Sequence, residues 1–183
     1  MLYIIRHGKT DWNEKRKLQG ITDIPLNEEG RRMAAEAGEE YKDINFDVCY
    51  CSPLVRAKET AEIMLKGRNI PIIYDNRLRE MGFGIYEGTE NCFDIPDCPI
   101  KVFFFHPEEY KIPVEGGESL DDVFKRTGEF LEEVVKPQLE AGKDVLIVGH
   151  GAMNSSIVSI VKGLKREEFW STGIPNCKLI KLT

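Results

Sequence analysis

The stretch Val145-Leu146-Ile147-Val148-Gly149-His150-Gly151 joins an uninterrupted apolar run to a His-Gly pair, and the chain opens on the same join, Leu2-Tyr3-Ile4-Ile5-Arg6-His7-Gly8. Short runs rich in Val and Ile suit strands buried on both faces, as in the middle of a parallel sheet. Open α/β sheets bind ligands beyond the carboxyl ends of such strands, which is where both histidines fall. A single strand-end histidine reads equally well as one bonded to a carbonyl. Two in the same context point to a shared site: if the strands are neighbours, both imidazoles converge over one sheet edge, and each glycine lets the backbone approach a ligand closely.

Outward from these strands the pattern alternates. Asn27 caps a helix expected from Glu28 to about Lys42, and a strand follows at Val48 to Cys51. Ser52-Pro53 reads as an N-cap with a first-turn proline, opening a helix to about Leu65. Another strand is expected at Ile70 to Tyr74. Ser119 and Asp122 have capping-box spacing ahead of a long apolar stripe running from Leu120 to Val134, and Pro137 is expected to end or kink that helix. A helix from about Ala152 to Val161 and a strand from Lys178 to Leu182 complete the chain. This alternation predicts an α/β fold of three layers, α/β/α, around a mostly parallel central sheet. Glycines from Gly82 to Gly117 punctuate a stretch without clear periodicity, expected to hold a cap inserted at about 88–117 within a single domain of residues 1–183.

With 31 acidic against 25 basic residues the chain carries a net charge of −6, so no summed positive field draws it to nucleic acid or anionic lipid. An anionic ligand therefore needs a local cluster of cations. The five cysteines are odd in number and lack zinc-site partners, and Arg6 interrupts the first apolar run, so a reduced cytoplasmic protein without a cleavable leader is expected. No stretch is long and apolar enough to span a membrane.

Only His7, His106 and His150 supply imidazole. Arg6 beside His7, and Arg56 early in the helix after the second strand, aim at the same sheet edge, and guanidinium forks match phosphate oxygens. Seen alone, each arginine is equally a surface ion-pair residue. Together with the histidines they form a candidate phosphate pocket, in which a neutral imidazole attacks phosphorus and divides the displacement into two steps. Two arginines would repel a dication from any His/Glu set beside them, so neither metal nor cofactor is expected.

Six motifs follow in order: RHGKTDWN (6–13), LQGITDIPLNEEG (18–30), SPLVRAKETA (52–61), LREMGFGIYEG (78–88), GGES (116–119) and VGHGAM (148–153). Together they resemble the histidine phosphatase superfamily, also called the phosphoglycerate mutase-like family. The resemblance implies that His7 is the phosphorylated nucleophile. It implies that Arg6, Arg56 and His150 bind the phosphoryl group, with Gly151 adjoining. Glu80 then matches the general acid that protonates the leaving oxygen and later activates water; read without the family, it is a salt-bridge partner of Arg77 or Arg79. Asn13 matches a phosphate contact, and Gln19-Gly20 a segment lining the substrate side. Lys9 replaces the family's usual glutamate and adds a cation near the site.

Residues 90–114 occupy the place of the family's specificity-determining cap. Lys101 and Lys111 face five acids there, Glu90, Asp94, Asp97, Glu108 and Glu109, unlike the cation-rich caps of the mutases. Phe93, Phe103, Phe104, Phe105 and Tyr110 either pack the cap onto the core or suit a monoester with an apolar body. His106 is read as a structural cap residue. With few residues after the last strand, water is expected to reach the phosphohistidine, which favours a phosphatase acting on a small phosphorylated metabolite. The alternatives are a cofactor-dependent phosphoglycerate mutase and a non-catalytic module that binds a phosphorylated ligand.

Overall fold

The computed structural model describes residues 1–183. Its elements run β1 (Leu2–Arg6), α1 (Asp11–Glu14), α2 (Glu28–Glu40), β2 (Val48–Cys51), α3 (Val55–Met64), β3 (Ile72–Tyr74), α4 (Ile100–Phe105), α5 (Leu120–Phe130), α6 (Lys136–Glu140), β4 (Val145–Gly149), α7 (Gly151–Lys162) and β5 (Leu179–Lys181). The five strands lie in the order β3-β2-β4-β1-β5. β1, β2, β3 and β4 are parallel, and β5 closes the β1 edge antiparallel.

β1 and β4, the two strands that end in His-Gly, are direct neighbours, with Arg6 opposite Gly149. Side chains alternate across the sheet, so each strand feeds two cores. On one face Ile5, Cys49, Cys51, Leu146 and Val148 meet Ala34 and Ala37 of α2 and Ala57, Ala61 and Met64 of α3. On the other, Leu2, Ile4, Tyr50 and Ile147 meet Phe130 of α5 and Met153 and Ile157 of α7. The result is the expected three-layer sandwich. Each fully buried Ile or Leu contributes about 1.5–3 kcal/mol relative to an exposed one, which makes the two central strands the rigid floor of the site. All five cysteines are buried and unbridged.

Several local expectations change. Asn27 caps α2 through the Gly30 amide, and Ser119 and Asp122 form a reciprocal capping box on α5, as their spacing predicts. Ser52, however, does not cap α3: Leu54 precedes its first turn and supplies no side-chain cap, while the Ser52 hydroxyl turns to His150. Pro137 does not end its helix. A single π turn over Leu131–Val135 leads from α5 into α6 and accommodates the residue that lacks an N–H. β3 starts at Ile72 instead of Ile70.

Between β3 and α5 the chain forms short helical turns over a third apolar cluster, in which Met81, Phe83, Ile100, Phe103 and Phe169 are buried. Bridges from Lys17 to Glu90 and from Phe83 to Gly117 fasten this segment beside the carboxyl edge of the sheet.

Candidate active site

The ends of β1 and β4 deliver His7 and His150 together, with ring centroids 5.2 Å apart and both rings buried. The His7 backbone is pinned from two sides: its amide donates to the Gly149 carbonyl at 3.0 Å, and its own carbonyl accepts from Asn176 Nδ2 at 2.7 Å. His7 Nδ1 lies 2.6 Å from the Gly8 carbonyl. A carbonyl only accepts, so the proton sits on Nδ1 and the lone pair on Nε2. Burial, then the charges of Arg56 and Arg6, hold the His7 pKa well below the ordinary imidazole value, against the smaller opposing pull of the Gly8 carbonyl. The ring is therefore neutral at neutral pH, with Nε2 available as a nucleophile.

His150 is held low by burial and then by Arg56, His7 and Arg6. Its Nε2 lies 2.7 Å from Ser52 Oγ, which also accepts from the Leu54 amide at 3.3 Å. The hydroxyl carries one proton and two lone pairs, so this contact orients the ring through Nε2 in either tautomer; where the hydroxyl donates to Nε2, the ring proton sits on Nδ1. That nitrogen is buried without a partner in the protein.

The two arginines are tethered by their outer nitrogens. Arg56, fully buried, donates from Nη1 to the Thr22 carbonyl at 2.8 Å and from Nη2 to the Gly20 carbonyl at 2.6 Å. Arg6 donates from Nη1 to the Ile174 carbonyl at 3.1 Å. In both, Nε is buried without a protein partner. Burial lowers both pKa values, that of Arg56 to about 10, while Glu80 opposes the shift in each case. Two cationic N–H groups, together with His150 Nδ1, thus remain for an anion beside His7.

Glu80 is 9% exposed and forms no ion pair with Arg77 or Arg79; Arg77 instead binds Asp75 and Glu133. Its carboxylate accepts from the amides of Met81 (2.8 Å), Ala152 (3.2 Å) and Met153 (3.0 Å), the last two in the first turn of α7. Helix N-terminal amides favour negative charge, which fixes this side chain at the mouth of the pocket.

A cavity of about 160 Å³ is lined by Arg6, His7, Asn13, Gln19, Gly20, Arg56, Glu80 and Gly151, and His150 stands behind it against His7. Within this wall, Asn13 and Gln19 are both bonded to Thr10. Gly20 adopts φ +59°, which favours glycine, and a Cβ there would displace the Glu87 carboxylate from its bonds to Thr22 and Phe83. Gly8 differs from its expectation. It is not on the cavity wall; it lies against Gly30 of α2, whose carbonyl oxygen would be 2.4 Å from an added Cβ. Lys9 is not on the cavity wall, and its charge falls toward Glu29. The cation at the mouth is Lys17, which local sequence did not single out. Phe83, Phe104 and Trp170 complete the wall. Thr60, which accepts from the Gly8 amide, and Asn176 act only through tertiary contacts and carry no separate sequence signal.

The cap aromatics divide by position. Phe103 is fully buried against Phe83, Tyr110 and Phe169, Phe104 reaches the cavity, and Phe93 and Phe105 are exposed. His106 is exposed beside Glu108, away from the cavity.

Two imidazoles and two guanidiniums over the end of a parallel sheet, with a carboxylate across the cavity, define a protein that handles phosphoryl groups. Residues 2–183 match the family model of the histidine phosphatase superfamily (branch 1), and the chain belongs to that family. It is 37% identical to an uncharacterized phosphatase, PhoE, of Bacillus subtilis, over 87% of this chain and 76% of that protein. It is 31% identical to a 2,3-bisphosphoglycerate-dependent phosphoglycerate mutase of Gloeobacter violaceus, over 97% of this chain and 82% of the relative. The solved structure of Bacillus stearothermophilus YhfR superposes with a TM-score of 0.87 at 34% identity, covering 97% of this chain and 88% of that one.

Proposed function

We propose that this protein is a metal-independent phosphomonoesterase working through a phosphohistidine on His7, with residues 1–183 forming one catalytic domain and about 88–117 its cap. The observation that carries the reading is the neutral, buried His7, its Nδ1 proton tied to the Gly8 carbonyl and its Nε2 left among Arg6 and Arg56. In the first step Nε2 attacks phosphorus and the bond to the ester oxygen breaks, while Glu80 gives a proton to that oxygen. In the second, Glu80 as carboxylate takes a proton from water, the water oxygen bonds to phosphorus, and the N–P bond breaks to release phosphate and neutral His7. Arg6, Arg56 and the Nδ1 proton of His150 carry the charge of the transferring group in both steps.

The likeness to PhoE supports a phosphatase, and that to a phosphoserine phosphatase of Hydrogenobacter thermophilus, 30% identical over 96% of this chain and 82% of that protein, supports a small phosphorylated metabolite as substrate; the acid-rich 90–114 segment is unlike a site built for a doubly anionic phosphoglycerate. The unbridged cysteines support a cytoplasmic setting. The likeness to the Gloeobacter mutase keeps one second reading, phosphoryl return to another substrate. Release of p-nitrophenol from p-nitrophenyl phosphate in excess EDTA is the test. Hydrolysis is expected without added metal; loss of activity in EDTA that is restored by a metal ion would overturn the metal-independent reading. Phosphoglycerate interconversion primed by 2,3-bisphosphoglycerate, faster than phosphate release, would establish the mutase instead. Tight phosphate binding without either reaction would point to a non-catalytic module.

A further inference from the structure

The phosphoryl cavity is small. Its 160 Å³ falls below the roughly 300–1,000 Å³ of a typical small-molecule site, which suits a phosphoryl group better than a whole phosphoester. The rest of a substrate must continue elsewhere, and the structure offers a place. A second cavity of about 410 Å³ adjoins the first, sharing Lys17, Leu18 and Phe104 as its walls. Phe104 is held in place by stacking on Trp170, with planes 12° apart, and Phe93 meets Phe104 edge-on at 5.0 Å while remaining 46% exposed. These rings offer an open, rigid aromatic edge.

The charged groups at this second cavity are Arg16, Lys17 and Asp94. Neither Arg16 nor Lys17 forms an ion pair within the protein. Lys17 Nζ instead lies over the Trp12 ring, 5.8 Å from its centroid. Two cations free of ion pairs thus line this cavity against one acid, on a chain of net charge −6.

We propose that the second cavity is a leaving-group subsite, selecting phosphomonoesters whose aromatic body packs on Phe93 and Phe104 and whose far end carries an anionic group met by Lys17 and Arg16. This rests on the phosphomonoesterase reading and adds the substrate class to it. The aromatic edge supplies apolar contact, Lys17 supplies a charge contact at the wall the two cavities share, and Arg16 one that only a ligand entering the second cavity meets.

The test compares kcat/KM for 4-carboxyphenyl, phenyl and ethyl phosphates in the wild type, Lys17→Met, Arg16→Met and Phe93→Ala. Comparing each ratio between proteins cancels the intrinsic reactivity of the esters. The carboxyphenyl/phenyl ratio is expected to fall about five-fold in Lys17→Met, as suits one partly exposed charge contact, and to fall also in Arg16→Met. The phenyl/ethyl ratio is expected to fall several-fold in Phe93→Ala. Ratios that stay at wild-type values in all three variants, with hydrolysis intact, would overturn the subsite and leave the phosphomonoesterase standing. Failure of the wild type to hydrolyse any of the three would overturn both.

Discussion

His7 and His150, near opposite ends of the chain, stand with their rings 5.2 Å apart because β1 and β4 are adjacent parallel strands in register, Arg6 beside Gly149. Both rings are buried beside Arg6 and Arg56, and both are held well below the ordinary imidazole pKa. A site that collects positive charge in this way keeps its histidines neutral until an anion enters.

That neutrality is linked to stability. Below about pH 6.5 the unfolded chain protonates these two histidines while the folded protein does not. The unfolded state then binds more protons, so stability from this pair is complete above that pH and falls as pH drops below it. The slope is up to about 1.4 kcal/mol per pH unit for each histidine. Urea unfolding at pH 7.5, 6.5 and 5.5 should show this decline, and a His7→Asn/His150→Asn variant should show a flatter one over the same window. An equal slope in the double variant would contradict it.

A Ser52 hydroxyl that donates to Nε2 holds His150 with its ring proton on Nδ1. Removing that hydroxyl leaves His150 Nε2 buried without its partner, a loss of about 1–3 kcal/mol. Ser52→Ala should lower kcat/KM by about ten-fold, within that range. The imidazole ¹⁵N spectrum of His150 should change from one tautomer to a mixture, which a merely structural role would not produce.

Gly8 and Gly151 follow the two buried histidines of the site, yet they should respond differently to alanine. An added Cβ at Gly8 meets the Gly30 carbonyl oxygen at 2.4 Å, a backbone atom that cannot swing away, so Gly8→Ala should cost about 1–3 kcal/mol of stability. At Gly151 the nearest atoms are Arg6 Cζ at 3.6 Å and Glu80 Oε2 at 3.7 Å, ordinary contacts. Gly151→Ala should therefore unfold near the wild-type denaturant midpoint but lose turnover, because the methyl stands between Arg6 and Glu80.

The central strands were readable because four consecutive apolar residues leave little alternative to a buried strand, and the register of β1 on β4 then places both histidines at one edge. Ser52 departs from the expected cap because Ser-Pro after a strand carries the same local signal whether the hydroxyl caps a helix or reaches across to another strand end. Phe103, Phe104 and Phe105 are identical neighbours whose separation into core, cavity wall and solvent follows from how α4 docks, which no local pattern encodes. Lys17 carries no local signal for a related reason: its bridge to Glu90 brings together segments distant in sequence. Lys9, adjacent to the RHG motif, lies off the cavity wall.

The most direct test of the account is rapid acid-free quenching of the enzyme during turnover of p-nitrophenyl phosphate, followed by peptide mass spectrometry. The account predicts a phosphoryl group on His7 that is lost in acid and forms as fast as turnover requires, with His7→Asn showing neither the adduct nor more than about a thousandth of wild-type kcat. Unchanged hydrolysis by His7→Asn, or turnover with the phosphoryl group on another residue, would contradict it.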